Sequence, residues 1–230
     1  MGIVISFLIF VIWGGHLYYI LRFVEVDYTS AMFYLHIVLQ AYFYTGLFIT
    51  SHDAMHGSIS KNKTVNRYIG TVGASLFAGL SYKKLLKNHF AHHHHPGDEH
   101  DPDFSETSQN FFIWWFVFLK RYLSIIQLVI MAVMFNLLKI WFDEFSIWFF
   151  WVLPAILSTF QLFYFGTFLP HRRPHADKMK PHNARTQKAN HLWAMLSCYF
   201  FGYHYEHHEN PHIPWWKLYK TKNKPVNGIE

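Results

Sequence analysis

Residues 1–21 and 28–52 contain no Asp, Glu, Lys or Arg. Each run is long enough to cross a hydrocarbon core about 30 Å thick, which takes roughly 20 helical residues. Two further apolar stretches follow, and the only charge within them is Lys139, near the end of its stretch, where a lysine can reach the interface. The expectation is four spans, at 3–21, 28–50, 122–142 and 145–169. Lipid offers no hydrogen bonds to a bare backbone, so each span must be a helix, and the chain is read as an all-α integral membrane protein. No basic segment precedes the first run and no small-residue cleavage site precedes Arg22, so it is read as a retained span, not a signal peptide.

The composition agrees, with 52% hydrophobic and 20% aromatic residues in 230. That is one domain's length and too apolar for an ordinary soluble enzyme. Three shorter apolar pieces, 68–82, 111–119 and 192–203, are too short to span and read as interfacial or re-entrant helices, the last of them equally as a buried helix of a cytosolic cap.

The basic residues then give an orientation. With the spans as drawn, the loops on one side hold only Arg22 and Lys139, while the other side holds the remaining eighteen Lys and Arg. Basic loops stay in the cytoplasm. Both termini and a cap formed by 51–121 and 170–230 are therefore expected on the cytoplasmic face, within a single domain 1–230. The net charge of +6 is explained by anionic headgroups beside that face, with no need for nucleic acid. A lone cysteine, Cys198, excludes a disulfide framework within the chain.

The same cap holds an unusual concentration of imidazole. "HFAHHHHPGDEHDPDF", from His89 to Phe104, puts six of eighteen histidines into twelve residues. "HDAMH" places His52 and His56 four apart, and "HYEHH" gives His204, His207 and His208 the same offsets as His89, His92 and His93. On a helix, positions i, i+3 and i+4 share one face, so each H-x-x-H-H unit can aim three rings at one point. Zinc sites are normally closed by four ligands, so eight or nine imidazoles indicate two metal ions. Ligand type alone leaves Zn, Cu, Fe and Ni open. Oxygen activation by iron suits a membrane site with an apolar substrate, and a hydrolytic dinuclear site bridged by Asp53, Asp101 or Asp103 is the competing reading. A membrane metal transporter or metal-binding module is the non-enzymatic alternative, against which the boxes gather outside the spans.

Three boxes in this order, H-x-x-x-H, H-x-x-H-H and H-x-x-H-H, on a four-span chain resemble the membrane fatty-acid desaturase and hydroxylase superfamily. Within it, "HDAMHG", "HHHHPGDEHDPDF", "FGTFLPHR" and "GYHYEHHENPHIPWWKL" resemble the carotenoid ketolases that oxidise C4 of β-ionone rings. The resemblance implies a di-iron centre ligated by His52, His56, His89, His92, His93, His204, His207 and His208. It adds His171, which follows the fourth span in "LPHR". It also implies O2 as co-substrate and two successive hydroxylations of β-carotene at one ring carbon, giving a geminal diol that loses water to a ketone. A β-carotene hydroxylase or a fatty acyl lipid desaturase of the same superfamily is the alternative. Asp101 and Phe104, in "DPDF" beside the ligand positions, are read as the catalytic-pocket residues that hold the ring for the second attack. No G-x-G-x-x-G fingerprint occurs, so electrons are expected from an external ferredoxin-like donor.

The remaining histidines carry plainer expectations. His16 and His36 lie inside spans and are read as neutral, hydrogen-bonded packing residues. His100, His175, His182 and His212 are read as solvated loop residues, while His191 is left open. Ligating imidazoles normally donate their other N–H to a carboxylate or carbonyl, and Asp53, Asp101, Asp103 and Glu206 are placed to accept it.

Overall fold

A computed structural model describes residues 1–222 and contains helices but no strands among them. The C-terminus, expected on the cytoplasmic face, lies outside the described residues. Two helices, α1 (Gly2–Phe23) and α2 (Ala31–Met55), form the first pair. Asp27 turns the chain between them, its Oδ1 accepting from Thr29 N at 2.9 Å and Thr29 Oγ1 at 2.7 Å. The pair is antiparallel, since Trp13 and His16 meet Gln40 while Tyr19 meets His36. His16 Nδ1 lies 2.6 Å from Gln40 Oε1 and its Nε2 lies 3.1 Å from His36 Nδ1. These polar groups satisfy one another between helices that lipid would otherwise leave unpaired.

Next come α3 (Lys63–Ala78) and α4 (Tyr82–His94), capped by Asn62 and Ser81. The α3 helix closes tightly on α2 because a Cβ at Gly73 would meet Ser51 Oγ at 2.4 Å. The expected apolar piece at 68–82 thus belongs mostly to a 16-residue helix that begins five residues earlier.

The expected third span is not one straight helix. The chain forms α5 (Phe111–Tyr122) and α6 (Ile125–Leu138), which meet at 91°. Leu123 is extended, and Ser124 caps α6 by accepting from Gln127 N at 3.2 Å. The 14 residues of α6 rise only about 21 Å, short of the hydrocarbon thickness. By length and composition three helices can cross a membrane, and four if the bent pair counts as one. The apolar residues 111–119 and the predicted span 122–142 are therefore two arms of one bend, and its corner is the polar Ser124.

The last long helix, α7 (Glu144–His171), runs 28 residues and is apolar enough to cross a membrane. It starts where Asp143 Oδ2 accepts from Ser146 N at 2.9 Å. Two π-helical stretches interrupt it, Trp148–Val152 and Tyr164–Phe168, each just ahead of a proline, Pro154 and Pro170. Proline lacks an N–H and crowds the carbonyl four residues back, and a widened turn relieves both. Against α2, Thr45 Oγ1 lies 2.8 Å from Ser158 Oγ and donates to Gln161 Oε1 at 2.5 Å.

Three short helices complete the cap: α8 (His191–Cys198), α9 (His204–Glu209) and α10 (Trp215–Leu218). The expected piece at 192–203 is helical only through Cys198. Tyr199 and Phe200 then adopt positive φ and turn the chain into α9. Cys198 is buried.

Candidate metal centre

The first box occupies the last turn of α2, the second ends α4, and the third forms α9. His171 closes α7. Helical spacing therefore brings the rings of each box to one face, and the four helix ends meet. Two groups result. One holds His52, His56, His89, His93 and His207; the other holds His92, His171, His204 and His208. Within each group the candidate ligand atoms all lie within 4.8 Å of one another. The nine histidines named from the sequence are the nine that the fold assembles, and the second box is split between the groups.

Several nitrogen spacings match those of rings that share an ion, while His56 Nε2 and His89 Nε2 stand closer, at 2.6 Å. Nε2 of His207 lies 3.1 Å from Nε2 of His52 and 3.1 Å from Nε2 of His93. Nε2 of His208 lies 3.2 Å from that of His92 and 3.1 Å from that of His204. Two imidazole nitrogens about 2.1 Å from a shared ion stand about 3.0 Å apart at a right angle and about 3.4 Å at the tetrahedral angle. His171 supplies an independent sign: its Nδ1 donates to Asn183 O at 3.0 Å, while its buried Nε2 has no hydrogen-bond partner. A ligand nitrogen oriented by its other ring nitrogen looks like this. The residues present fit a two-ion site.

Electrostatics favour the same reading. Burial, followed by the charges of neighbouring rings, pushes His89, His93, His204, His207 and His208 below the usual histidine range. Neutral imidazole is the ligating form, so protons compete weakly there. His92 differs. Burial opposes its charge, but the Asp101 carboxylate beside it overrides this and raises it to about 9. The Asp101 carboxylate lies 2.9 Å from His92 Nδ1, and it also accepts from Gly97 N and Asp103 N, each at 2.8 Å. Pro96 and Gly97 make this return: Gly97 takes φ +72, a conformation open to glycine at little cost, and folds Asp101 back onto the box.

Of the other acids, Asp53 meets the expectation through a long contact, while Asp103 and Glu206 are engaged elsewhere. Asp53 Oδ1 is 3.4 Å from His52 Nδ1, while Oδ2 accepts from Trp215 N at 2.9 Å and ties α10 to α2. Asp103 lies near His92 but accepts from the Tyr122 hydroxyl. Glu206 faces outward to Lys222 and Thr186. Of the loop histidines, His182 departs from the solvated reading: its ring lies 5.5 Å from that of His208 and its Nε2 lies 2.9 Å from Glu209 Oε2. His175 is half-buried, 2.7 Å from His171 O. Twenty-seven residues separate His182 from Glu209 in the chain, so spacing alone gave no sign of the pair.

Above the imidazoles opens a cavity of about 440 Å³. Leu128 and Met131 of α6 and Ile156 of α7 line it, as do His52, His89, His92 and His204, so it reaches from the apolar helices to both groups of rings. Neither Asp101 nor Phe104 lines it. Asp101 is occupied holding His92, which makes it a positioning residue. Phe104 is 2% exposed and packs with Trp114, Phe163 and Phe168, a strut under α5 and α7. The place expected of these two in the pocket falls to Asp103.

Comparison with known proteins agrees with this architecture. A family model described as "Fatty acid desaturase" matches residues 29–145 and 119–226. The chain belongs to the fatty acid desaturase family. Among its relatives, a zeaxanthin 4-ketolase of Chlamydomonas reinhardtii is 39% identical over 79% of this chain and 42% of its own length. A β-carotene ketolase of Paracoccus sp. (strain PC1) is 39% identical over 77% of this chain and 74% of its own. β-Carotene 4-ketolase 3 of Haematococcus lacustris is 40% identical over 84% of this chain and 62% of its own. The chain thus spans less than half of the Chlamydomonas protein and under two thirds of the Haematococcus one. No solved structure matches.

Proposed function

We propose that the chain is a membrane oxygenase that uses two iron ions and O2 to convert β-carotene to 4-keto products, echinenone and then canthaxanthin, by successive hydroxylations at C4 of the β-ionone ring. The observation that carries this reading is the cavity whose apolar walls end on rings of both imidazole groups. Its supports are the ketolase relatives and family membership.

In this reading His52, His56, His89, His93 and His207 hold one ion, and His92, His171, His204 and His208 hold the other. The ions supply the activation of O2 and its reduction, chemistry that no side chain here can perform. The protein does the rest. Asp101 fixes the ring and tautomer of His92, and the Asn183 carbonyl does the same for His171. Leu128, Met131 and Ile156 exclude water and orient an apolar polyene end-on to the rings. Thr159 and Trp115 line the same space, with Trp115 Nε1 donating to Thr159 Oγ1 at 3.2 Å, so the wall presents few free polar groups. Electrons come from an external acidic carrier of ferredoxin type, attracted by the basic loops of the cap. The protein is multi-pass, with the boxes and both termini on the cytoplasmic side.

Product analysis in cells that make β-carotene tests the activity. Echinenone and canthaxanthin should appear, with the 4-hydroxy compound only in passing. A 3-hydroxy carotenoid, or a desaturated acyl chain with carotene untouched, would replace the ketolase reading by another activity of the family; unchanged carotene and lipid would favour a metal-binding or transport role.

A further inference from the structure

An alcohol has few partners in the cavity described above. Its walls are largely apolar; besides the imidazoles and Trp115, the polar residues lining it are Asp103, Tyr122, Gln127, Thr159 and Thr167, of which Gln127 donates to Ala78 O at 2.8 Å and Thr159 to Ile156 O at 2.7 Å. Asp103 is the one carboxylate among the lining residues. Its Oδ1 accepts from Tyr122, and no hydrogen bond among the described residues reaches its Oδ2.

The backbone around Asp103 is fixed to an unusual degree. Arg121 Nη1 donates to the carbonyls of Pro102 and, at 2.8 Å, Phe104, and Trp114 Nε1 donates to the carbonyl of Asp103 itself at 2.8 Å. Asp103 N in turn donates to Asp101 Oδ1 at 2.8 Å. All three carbonyls of 102–104 are thus held from α5, and the amide is held by the residue that also positions His92. These bonds place a carboxylate oxygen of Asp103 within 4.8 Å of a ring nitrogen of His92. Asp103 and His92 line the same cavity, so a group bound by Asp103 sits near the His92 ring.

We propose that Asp103, oriented by Tyr122, recognises the hydroxyl of the half-oxidised ring and keeps that carbon at the imidazole clusters for its second oxidation. The inference rests on the ketolase reading and adds to it a cause for ketone rather than alcohol as the end product. β-Carotene has no polar atom and takes nothing from Asp103, whereas the 4-hydroxy intermediate can donate to Oδ2. A hydrogen bond to a carboxylate in a site poor in water is worth a factor of about ten or more in affinity. That is enough to favour a second oxidation over release. The alcohol is retained where it was made, and the ring need not re-enter in the correct orientation.

The test uses full-length, iron-loaded protein in lipid nanodiscs with β-carotene or 4-hydroxy-β-carotene as the probe. Two quantities are read: the ratio of ketone to alcohol in the product, and the affinity for each carotenoid by quenching of tryptophan fluorescence. Asp103→Leu should lower the ketone-to-alcohol ratio about tenfold and weaken the 4-hydroxy compound about tenfold relative to β-carotene. Asp103→Asn, which keeps an acceptor, should fall between. Tyr122→Phe should shift both readouts in the same direction by less, and it carries the test should Asp103→Leu fail to fold or to retain iron. Wild-type ketone formation with both readouts unmoved in the folded variants would overturn the role of Asp103 alone. Absence of any 4-keto product from the wild type would remove the ketolase reading and the inference with it.

Discussion

The carboxylate of Asp101 lies 2.9 Å from Nδ1 of His92, and both side chains are buried. The contact leaves Nε2 of His92 free to face Nε2 of His208. Asp101→Asn keeps the shape and one acceptor oxygen but replaces the other by an NH2 donor and removes the charge, so the tautomer of His92 is no longer fixed. Loss of such a partner typically costs 10- to 100-fold in metal affinity or activity, roughly. Iron retention under a graded chelator and turnover should both fall by about that factor. An Asn variant equal to wild type in both would show that Asp101 is only a loop anchor.

Removing a ring from either cluster should have a larger effect. His56→Ala and His93→Ala each take a donor from the group of five, and His208→Ala takes one from the group of four. Each should lower turnover at least about a hundredfold while the spans remain inserted. His182→Ala should retain iron and cost less than about tenfold, since that ring packs on His208 without entering either cluster. Normal turnover in any of the first three would remove that residue from the ligand set.

Much of this arrangement was legible because it follows helical spacing. The offsets of His89, His92 and His93, repeated in His204, His207 and His208, give a shared face whatever the tertiary structure does. What spacing cannot show is how the helices meet. The second box divides, His89 and His93 going to one cluster and His92 to the other, because α2, α7 and α9 approach α4 from different sides. Phe104 and Asp103 are one residue apart, and only the fold decides that Asp103 lines the cavity while Phe104 supports it. The bend at Ser124 was hidden for a similar reason. A single hydroxyl between two apolar runs reads as a tolerated polar residue until it is seen to cap a helix.

Gly166 lies on the cavity wall, where a Cβ would meet Phe201 Cε1 at 2.4 Å. Phe201 in turn packs edge-on against His52 and His204, with ring centroids 4.9 and 5.4 Å away. Gly166→Ala must displace that ring, and overpacking of this kind costs about 1–3 kcal/mol. The variant should unfold several degrees below wild type in a thermal scan and bind iron more weakly. Unchanged melting and iron content would mean that Phe201 moves aside freely.

Cysteine labels placed one at a time at Ser58, Lys178 and Lys220 should all react from the cytoplasmic side of sealed vesicles, because the basic residues concentrate on the segments that carry them. The bend between α5 and α6 does not alter this if the two together enter and cross once. Opposite accessibility for Ser58 and Lys178 would break the orientation.

The central claim is that the two imidazole clusters hold two iron ions. Metal analysis of protein purified from cells grown with both iron and zinc, paired with Mössbauer spectra of iron-57-enriched samples, addresses it without depending on any substrate. Nine imidazoles in groups of five and four predict about two irons per chain, with open coordination positions left at the ions. His93→Ala and His208→Ala should each lower that number. A reproducible single zinc with no iron, in protein that is folded and inserted, would contradict the account.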